Sequence, residues 1–226
     1  MISLLMAAYN ASATIGETID SVLAQTRPPD EIVVVDDGST DGTGDHPVLR
    51  HETIRVVRQD NGGMFAALNT ALDRCGGDRI AFLDADDLWT PDKLERQSAF
   101  LDANVQVAAV FGQVVQFACP TSTAEDLARW QIVTEPQPGW LLGTMLIRRE
   151  AVLAIGRFDE TLRVGGSIDW MARLRDSGAG LAMQDEVALR RRIHAGSLSQ
   201  RTAERDRAYL ATVRKALLRR RGKSDS

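Results

Sequence analysis

Between residues 2 and 101 the chain alternates short apolar runs with segments of helical period, and this alternation restricts the fold more than any other feature. Ile2–Ala8 is an apolar run of strand length. Glu31-Ile32-Val33-Val34-Val35 is a β-branched run, the pattern of a parallel strand buried on both faces. Ile54–Val57 and Arg79–Leu83 read as a third and fourth strand. Between them lie Ile15, Ile19, Val22 and Leu23 at helical spacing, a helix over Met64–Cys75, and Leu94, Ser98 and Leu101 on the inner face of another. Thr14-Ile15-Gly16-Glu17 has the spacing of a capping box, and Arg27-Pro28-Pro29-Asp30 stops the helix it opens. Thr90 and Pro91 read as N-cap and first helical residue. The order predicts an α/β fold with a mixed, mostly parallel sheet covered by helices.

The second half is less regular. Val105–Phe117 and Trp140–Arg148 read as strands separated by a connection over 118–138. A helix near Ile168–Asp176 ends at Ser177-Gly178, Val187–Ile193 forms a last strand, and Ala203–Arg221 a terminal helix. We expect one catalytic domain over 1–198 and a basic helix or tail over 199–226. The net charge of −4 conceals that division. Residues 201–226 hold nine bases and three acids, leaving 18 bases and 28 acids before them. An acidic body with a basic end is not the footprint of a nucleic-acid binder. It fits a body that collects cations and a tail that meets an anionic surface, a peripheral membrane contact included.

Leu4-Leu5-Met6-Ala7-Ala8 is too short to span a bilayer and is followed by no cleavage-like segment, so it is expected to be a buried strand. Cys75 and Cys119 stand in no metal or redox spacing and are expected as reduced thiols. A cytoplasmic location is the expectation that follows.

Three of the expected strands end in polar or acidic clusters: Ala8-Tyr9-Asn10, Asp36-Asp37-Gly38-Ser39-Thr40-Asp41-Gly42, and Asp84-Ala85-Asp86-Asp87. Ligands of open parallel sheets bind beyond the carboxyl ends of the strands, so all three should face one crevice. Asp84 and Asp86 are two apart at the end of an extended segment and can point the same way. Paired carboxylates there suit Mn²⁺ or Mg²⁺, which prefer oxygen ligands and are often shared with phosphates. The bland alternative is a turn leading into the helix after Pro91, with Asp86 or Asp87 near its positive end. Asp37 can accept a hydrogen bond from a ring N–H of a base, or can be an ordinary Asp-Gly turn residue. Tyr9 can lie against the base or be half-buried core.

The segments Ala7-Ala8-Tyr9-Asn10, Ser21-Val22-Leu23-Ala24-Gln25-Thr26, Val34-Val35-Asp36-Asp37-Gly38-Ser39-Thr40-Asp41, Asn61-Gly62-Gly63, Phe82-Leu83-Asp84-Ala85-Asp86-Asp87 and Ile155-Gly156-Arg157-Phe158-Asp159-Glu160 follow one another in order over about residues 1–198. In this the chain resembles glycosyltransferase family 2, with its GT-A fold, a Rossmann-like architecture. The resemblance implies an inverting transferase of nucleotide-diphosphate sugars. It implies Ala7, Tyr9, Asp37, Gly63, Asp84 and Ala85 around the nucleotide sugar, and Asp86 as metal ligand. Members of the family often carry a His near the metal and diphosphate, which matches His194.

Two positions depart from the family pattern. Its Glu-Asp pair, whose Asp is the catalytic base, aligns with Gly166 and Ser167, and Asp169 is the nearest carboxylate. Asp169 is therefore the candidate base, or else a helix cap or a partner for Arg173 four residues on. Leu68 stands where relatives often have Arg, so one donor toward the nucleotide is missing. Arg190, Arg192 and His194 would share one strand face, with Arg as a phosphate clamp. Trp89, Trp140 and Trp170 either border an acceptor groove or pack in the core. The displaced base admits a nucleotide-sugar-binding protein that has lost catalysis. A nucleotidyltransferase is disfavoured, because Ala11-Ser12-Ala13-Thr14 is no Gly-rich phosphate loop.

Overall fold

The computed structural model describes residues 1–130, 132–162, 164–194 and 213–214. In chain order the elements are β1 (Ile2–Ala8), α1 (Ile15–Leu23), β2 (Glu31–Asp36), β3 (Ile54–Arg58), α2 (Met64–Arg74), β4 (Arg79–Phe82), β5 (Leu88–Trp89), α3 (Lys93–Ala103), β6 (Val107–Ala118), α4 (Ala124–Arg129), β7 (Gln137–Pro138), β8 (Leu146–Arg148), α5 (Arg149–Ile155), α6 (Gly166–Asp176) and β9 (Gly180–Ile193). They build one sheet in the order β3-β2-β1-β4-β8-β6-β9-β5, with β7 paired to β6. β1 to β4 run parallel, while β8 enters antiparallel between β4 and β6. The expected mixed, mostly parallel sheet flanked by helices is what forms.

The continuous apolar runs have a direct physical reason. Leu4, Met6, Ile32 and Val34 bury one face under α1 and α3, against Ile15, Ile19, Leu94 and Leu101. Leu5, Val33 and Val35 bury the other under α2, α5 and α6, against Ala67, Leu68, Val152 and Leu174. Successive side chains of a strand point oppositely, so a strand covered on both faces must be apolar at every position. Each fully buried large side chain contributes about 1.5–3 kcal/mol.

An aromatic cluster fastens the start of α6 to the parallel half of the sheet. Phe158 stacks on Phe65 of α2 and on Trp170 of α6, with centroids 5.7 and 5.1 Å away. Phe82, the last residue of β4, meets Trp170 edge-on at 6.2 Å. Asn69 closes the arrangement by donating to the Phe158 carbonyl and accepting from its amide, both at 3.0 Å. Trp170 is thus core, as is Trp89, which donates to the Gly143 carbonyl at 2.8 Å. Trp140 is 38% exposed, with Phe111 against it and the Arg175 guanidinium over its ring.

Several local expectations are corrected. Thr14 precedes α1 without making a side-chain cap, and α3 begins at Lys93 after Asp92 rather than at Pro91. The Thr90 hydroxyl instead donates to the Val187 carbonyl at 2.7 Å, because β9 passes beside β5. Residues 118–138, expected as a connection, contain α4, opened by a Thr123/Asp126 capping box. Trp140–Arg148 is a 3₁₀ turn followed by the short β8, and α5 follows directly. β9 extends seven residues further toward the N-terminus than expected, reaching Gly180, since β6 offers a parallel partner along that length. The expected helix over 203–221 and the basic tail lie outside the described residues, apart from Val213 and Arg214. Among the described residues no helix is long and apolar enough to cross a membrane.

Candidate active site

β1 lies between β2 and β4, so three strand ends emerge side by side. The Asp37 amide donates to the Ala8 carbonyl at 2.9 Å, and the Leu83 amide to the Leu5 carbonyl at 3.2 Å. The loops beyond are laced together. Asn10 donates its amide to Ser39 Oγ at 3.0 Å and accepts from the Thr40 amide at 2.9 Å. The Ser12 amide reaches Asp41 at 2.9 Å, and the Ala11 amide reaches Thr43 Oγ1 at 2.8 Å. Asn10 takes φ 49° to make these bonds, a conformation Asn tolerates better than most residues. Tyr9 is left 54% exposed on the rim, with Ala7 half-buried beneath it.

Asp37 does something that the sequence did not announce. It is buried, and its carboxylate accepts from Gln59 Nε2 at 2.8 Å, from the Gly62 amide at 2.9 Å and from the Gly63 amide at 2.8 Å. It therefore sets the approach to α2, where Gly63 adopts φ 92°. A carboxylate offers roughly four acceptor positions, so about one remains for a ligand. Leu68 is buried in the core, so the charged donor that the family resemblance implies is absent at this position. Beside these residues an open cleft of about 660 Å³ runs between the β2 and β3 ends, bordered by Asp36, Gly38, Ser39, Arg58, Gln59 and Asp60.

Asp84, Asp86 and Asp87 bring one oxygen each to within 4.8 Å of one another. Their convergence comes from a turn, closed by the Asp87 amide on the Asp84 carbonyl at 3.2 Å, rather than from an extended segment. That turn recruits Asp87, which belongs to the expected crevice-facing cluster but not to the expected metal-binding pair. Asp84 is exposed to water, while Asp86 beside it is half-buried and Asp87 buried. Lost solvation, then the Asp86 charge, pushes the Asp84 carboxyl up to about 6. Burial also raises Asp87 well above the carboxylate range, with the Asp84 and Asp86 charges adding to it. Three carboxylates this close repel one another, and a divalent cation relieves that repulsion. The donor set fits: all are oxygens, and opposite ligands of a small ion at about 2.1 Å stand about 4.2 Å apart.

The end of β9 closes the site from the other side. His194 Nε2 lies 2.9 Å from Asp86 Oδ2, a bond that raises the imidazole above its ordinary value. Arg191 carries charge toward Asp84 and Asp87, lowering both against the trend. Arg190 and Arg192 lie over the same Phe117 ring, as one shared face requires, but Arg192 is buried rather than open to a phosphate. Arg191 is a functional candidate that the sequence did not single out, and Arg192, expected as a phosphate clamp, lies instead against the acidic turn, since strand alternation says nothing about which loop a twisted strand passes beneath.

Asp169 is 1% exposed in the first turn of α6. Its Oδ2 accepts from Arg173 Nε at 3.0 Å, and the Arg173 fork also donates to the Ile155 and Arg157 carbonyls at 2.7 Å each. Gly166, at the position of the missing Glu, has the Phe65 ring against it: a Cβ there would lie 2.5 Å from Phe65 Cε2. The aromatic cluster fills the space that a larger side chain would need.

A model of the family described as Glycosyl transferase family 2 matches residues 3–154. The chain belongs to this family. An uncharacterized glycosyltransferase of Rickettsia typhi is 30% identical over 209 residues, covering 86% of this chain and 64% of its own. The Escherichia coli UDP-Glc:alpha-D-GlcNAc-diphosphoundecaprenol beta-1,3-glucosyltransferase WfgD is 41% identical over 107 residues, 46% of this chain and 42% of that one. The chain thus spans less than two thirds of either relative. Among solved structures, the mannosyltransferase PcManGT of Pyrobaculum calidifontis, in complex with GDP-Man and Mn²⁺, superposes with a TM-score of 0.69 at 24% identity, covering 96% of this chain and 64% of that one. That likeness establishes the GT-A fold.

Proposed function

We propose that the protein transfers a glycosyl unit from a nucleoside diphosphate sugar to an acceptor hydroxyl, with inversion, using Mn²⁺ or Mg²⁺. The observation that carries the reading is the convergence of Asp84, Asp86 and Asp87 at the mouth of β4, with His194 on Asp86. Asp84, Asp86 and Asp87 would hold the ion, which would offset the charge growing on the departing diphosphate. Tyr9 and Ala7 border the base, and the remaining acceptor position of Asp37 takes a base N–H. Gly63 and Ala85 line the path between, and Arg191 meets the diphosphate. In the transfer the acceptor oxygen bonds to the anomeric carbon as the bond to the diphosphate oxygen breaks. The acceptor proton passes to a base.

The base divides the proposal. In the first reading Asp169 takes the proton once its pair with Arg173 opens. In the second, favoured by the burial of Asp169 and by the Phe65 ring against Gly166, the chain binds donor without turning it over at an enzyme's rate.

Thermal shift with and without Mn²⁺ against UDP-glucose, GDP-mannose and dTDP-sugars tests the shared part, because ligands that bind only the native state raise its melting temperature. A panel with no nucleotide- and metal-linked shift removes both readings. Donor hydrolysis and transfer by Asp169→Asn and Ser167→Asp then separate them. A loss of turnover in Asp169→Asn with donor affinity kept supports the first reading, and a gain of turnover in Ser167→Asp supports the second.

A further inference from the structure

The turn that carries the three acids is held from behind by α1 and the residue that precedes it. Two hydroxyls of the α1 region, Thr14 Oγ1 and Thr18 Oγ1, donate to the Ala85 carbonyl at 2.9 and 3.1 Å. One residue on, the Asp86 carbonyl accepts from Arg192 Nε at 2.8 Å. The same guanidinium reaches Glu17 Oε2 through its second nitrogen at 2.5 Å, and its aromatic support is the Phe117 ring, 4.7 Å away. The Arg192 amide donates to Asp87 Oδ1 at 2.8 Å. Successive carbonyls of the turn, Ala85 and Asp86, are thus fixed by α1, directly and through Arg192. One carboxylate of the turn is fixed by β9.

We infer that Glu17 and Arg192, with Thr14 and Thr18, are positioning residues that fix the Asp86 backbone so that the Asp84, Asp86 and Asp87 carboxylates meet one cation. The inference rests on the metal reading proposed above. Thr14 and Glu17 are spaced like a capping box, yet they serve a distant loop instead of the helix end. Their chemistry suits the task. A buried arginine beside a cation site would weaken it by repulsion, and Glu17 supplies the compensating charge from the solvent side. The guanidinium can also bond a carbonyl and a carboxylate at once from one rigid plane, which an ammonium cannot do in that geometry. Groups outside the ligand set commonly tune metal affinity in this way, by about 10- to 100-fold when removed.

The test is manganese titration by calorimetry of the full chain as wild type, Glu17→Gln and Arg192→Lys, joined to amide hydrogen exchange of the metal-free proteins. The Glu17 side chain is 58% exposed, so its substitution leaves the core intact and the metal-free melting temperature within about 3 °C. Expected are about 10-fold or greater weakening of manganese binding in both variants, and faster exchange at the Asp87 and Arg192 amides before any metal is added. A wild type that binds manganese while Glu17→Gln binds it equally, with unchanged exchange at Asp87, overturns the positioning role alone. A wild type that takes up no manganese removes the metal reading, and this inference with it.

Discussion

Manganese should stabilise this protein far more at pH 7.5 than at pH 5, because the cation and a proton compete for Asp84. The Asp84 carboxyl is pushed from an ordinary 3.8 up to about 6. Below about pH 4 it is protonated in folded and unfolded chains alike. Between about 4 and 6 the unfolded chain has lost that proton while the folded chain keeps it, so metal-free stability from this group declines as pH rises through the window. Two units correspond to roughly 3 kcal/mol, which we halve to about 1.5 kcal/mol because Asp84 is open to screening water. Binding of the ion requires the carboxylate. With free metal at 100 times its dissociation constant the gain is about 2.7 kcal/mol. One unit below the raised pKa about ten molecules in eleven carry the proton, apparent affinity falls about 11-fold, and the gain drops to about 1.4 kcal/mol. At about 2–4 °C per kcal/mol for a chain of this size, the Mn²⁺-induced rise is about 5–11 °C at pH 7.5 and about 3–5 °C at pH 5. His194 works in the same direction, since its protonated ring pairs with Asp86 and opposes the cation. Differential scanning fluorimetry at fixed free Mn²⁺ across pH 5–7.5 measures the slope. A metal-induced shift that stays flat over that range, or grows as pH falls, refutes the reasoning.

Asp86→Ala is expected to abolish the Mn²⁺-dependent melting shift while leaving the metal-free chain folded; a shift of wild-type size would show that the ion lies elsewhere. Arg173→Met should cost about 3 kcal/mol by taking a charge partner from buried Asp169 and donors from the Ile155 and Arg157 carbonyls, lowering the melting temperature by about 6–12 °C. A loss below 2 °C would place that network outside the stability of the fold. Gly166→Ala drives a Cβ into the Phe65 ring and should cost about 1–3 kcal/mol in urea denaturation. A neutral result would mean that the ring yields freely and that the missing Glu is not excluded by packing.

The parallel half of the sheet was legible because its central strands β1 and β2 are almost wholly apolar, and double burial produces that pattern. The strand-end acids were legible for a related reason: a polar cluster stopping such a run marks where the chain leaves the core. The second half resisted reading. β8 has three residues and β9 is half-buried along most of its length, so neither carries a period that a helix or a loop would not also show. Local chemistry misled in the same way at Thr14 and Glu17, whose spacing suits a cap but whose partners lie 71 and 175 residues away along the chain.

From its order of residues alone this chain was committed to helices on both faces of a largely parallel sheet, with acids at neighbouring strand ends. Burial and backbone geometry act between near neighbours, and those are written in the sequence. Which carboxylates meet, that Asp37 turns inward to hold Gly62 and Gly63, and that β9 delivers Arg192 and His194 to the acidic turn were decided by folding. Those outcomes depend on strand twist and on contacts between residues from 25 to 108 positions apart, where no local pattern records the partner.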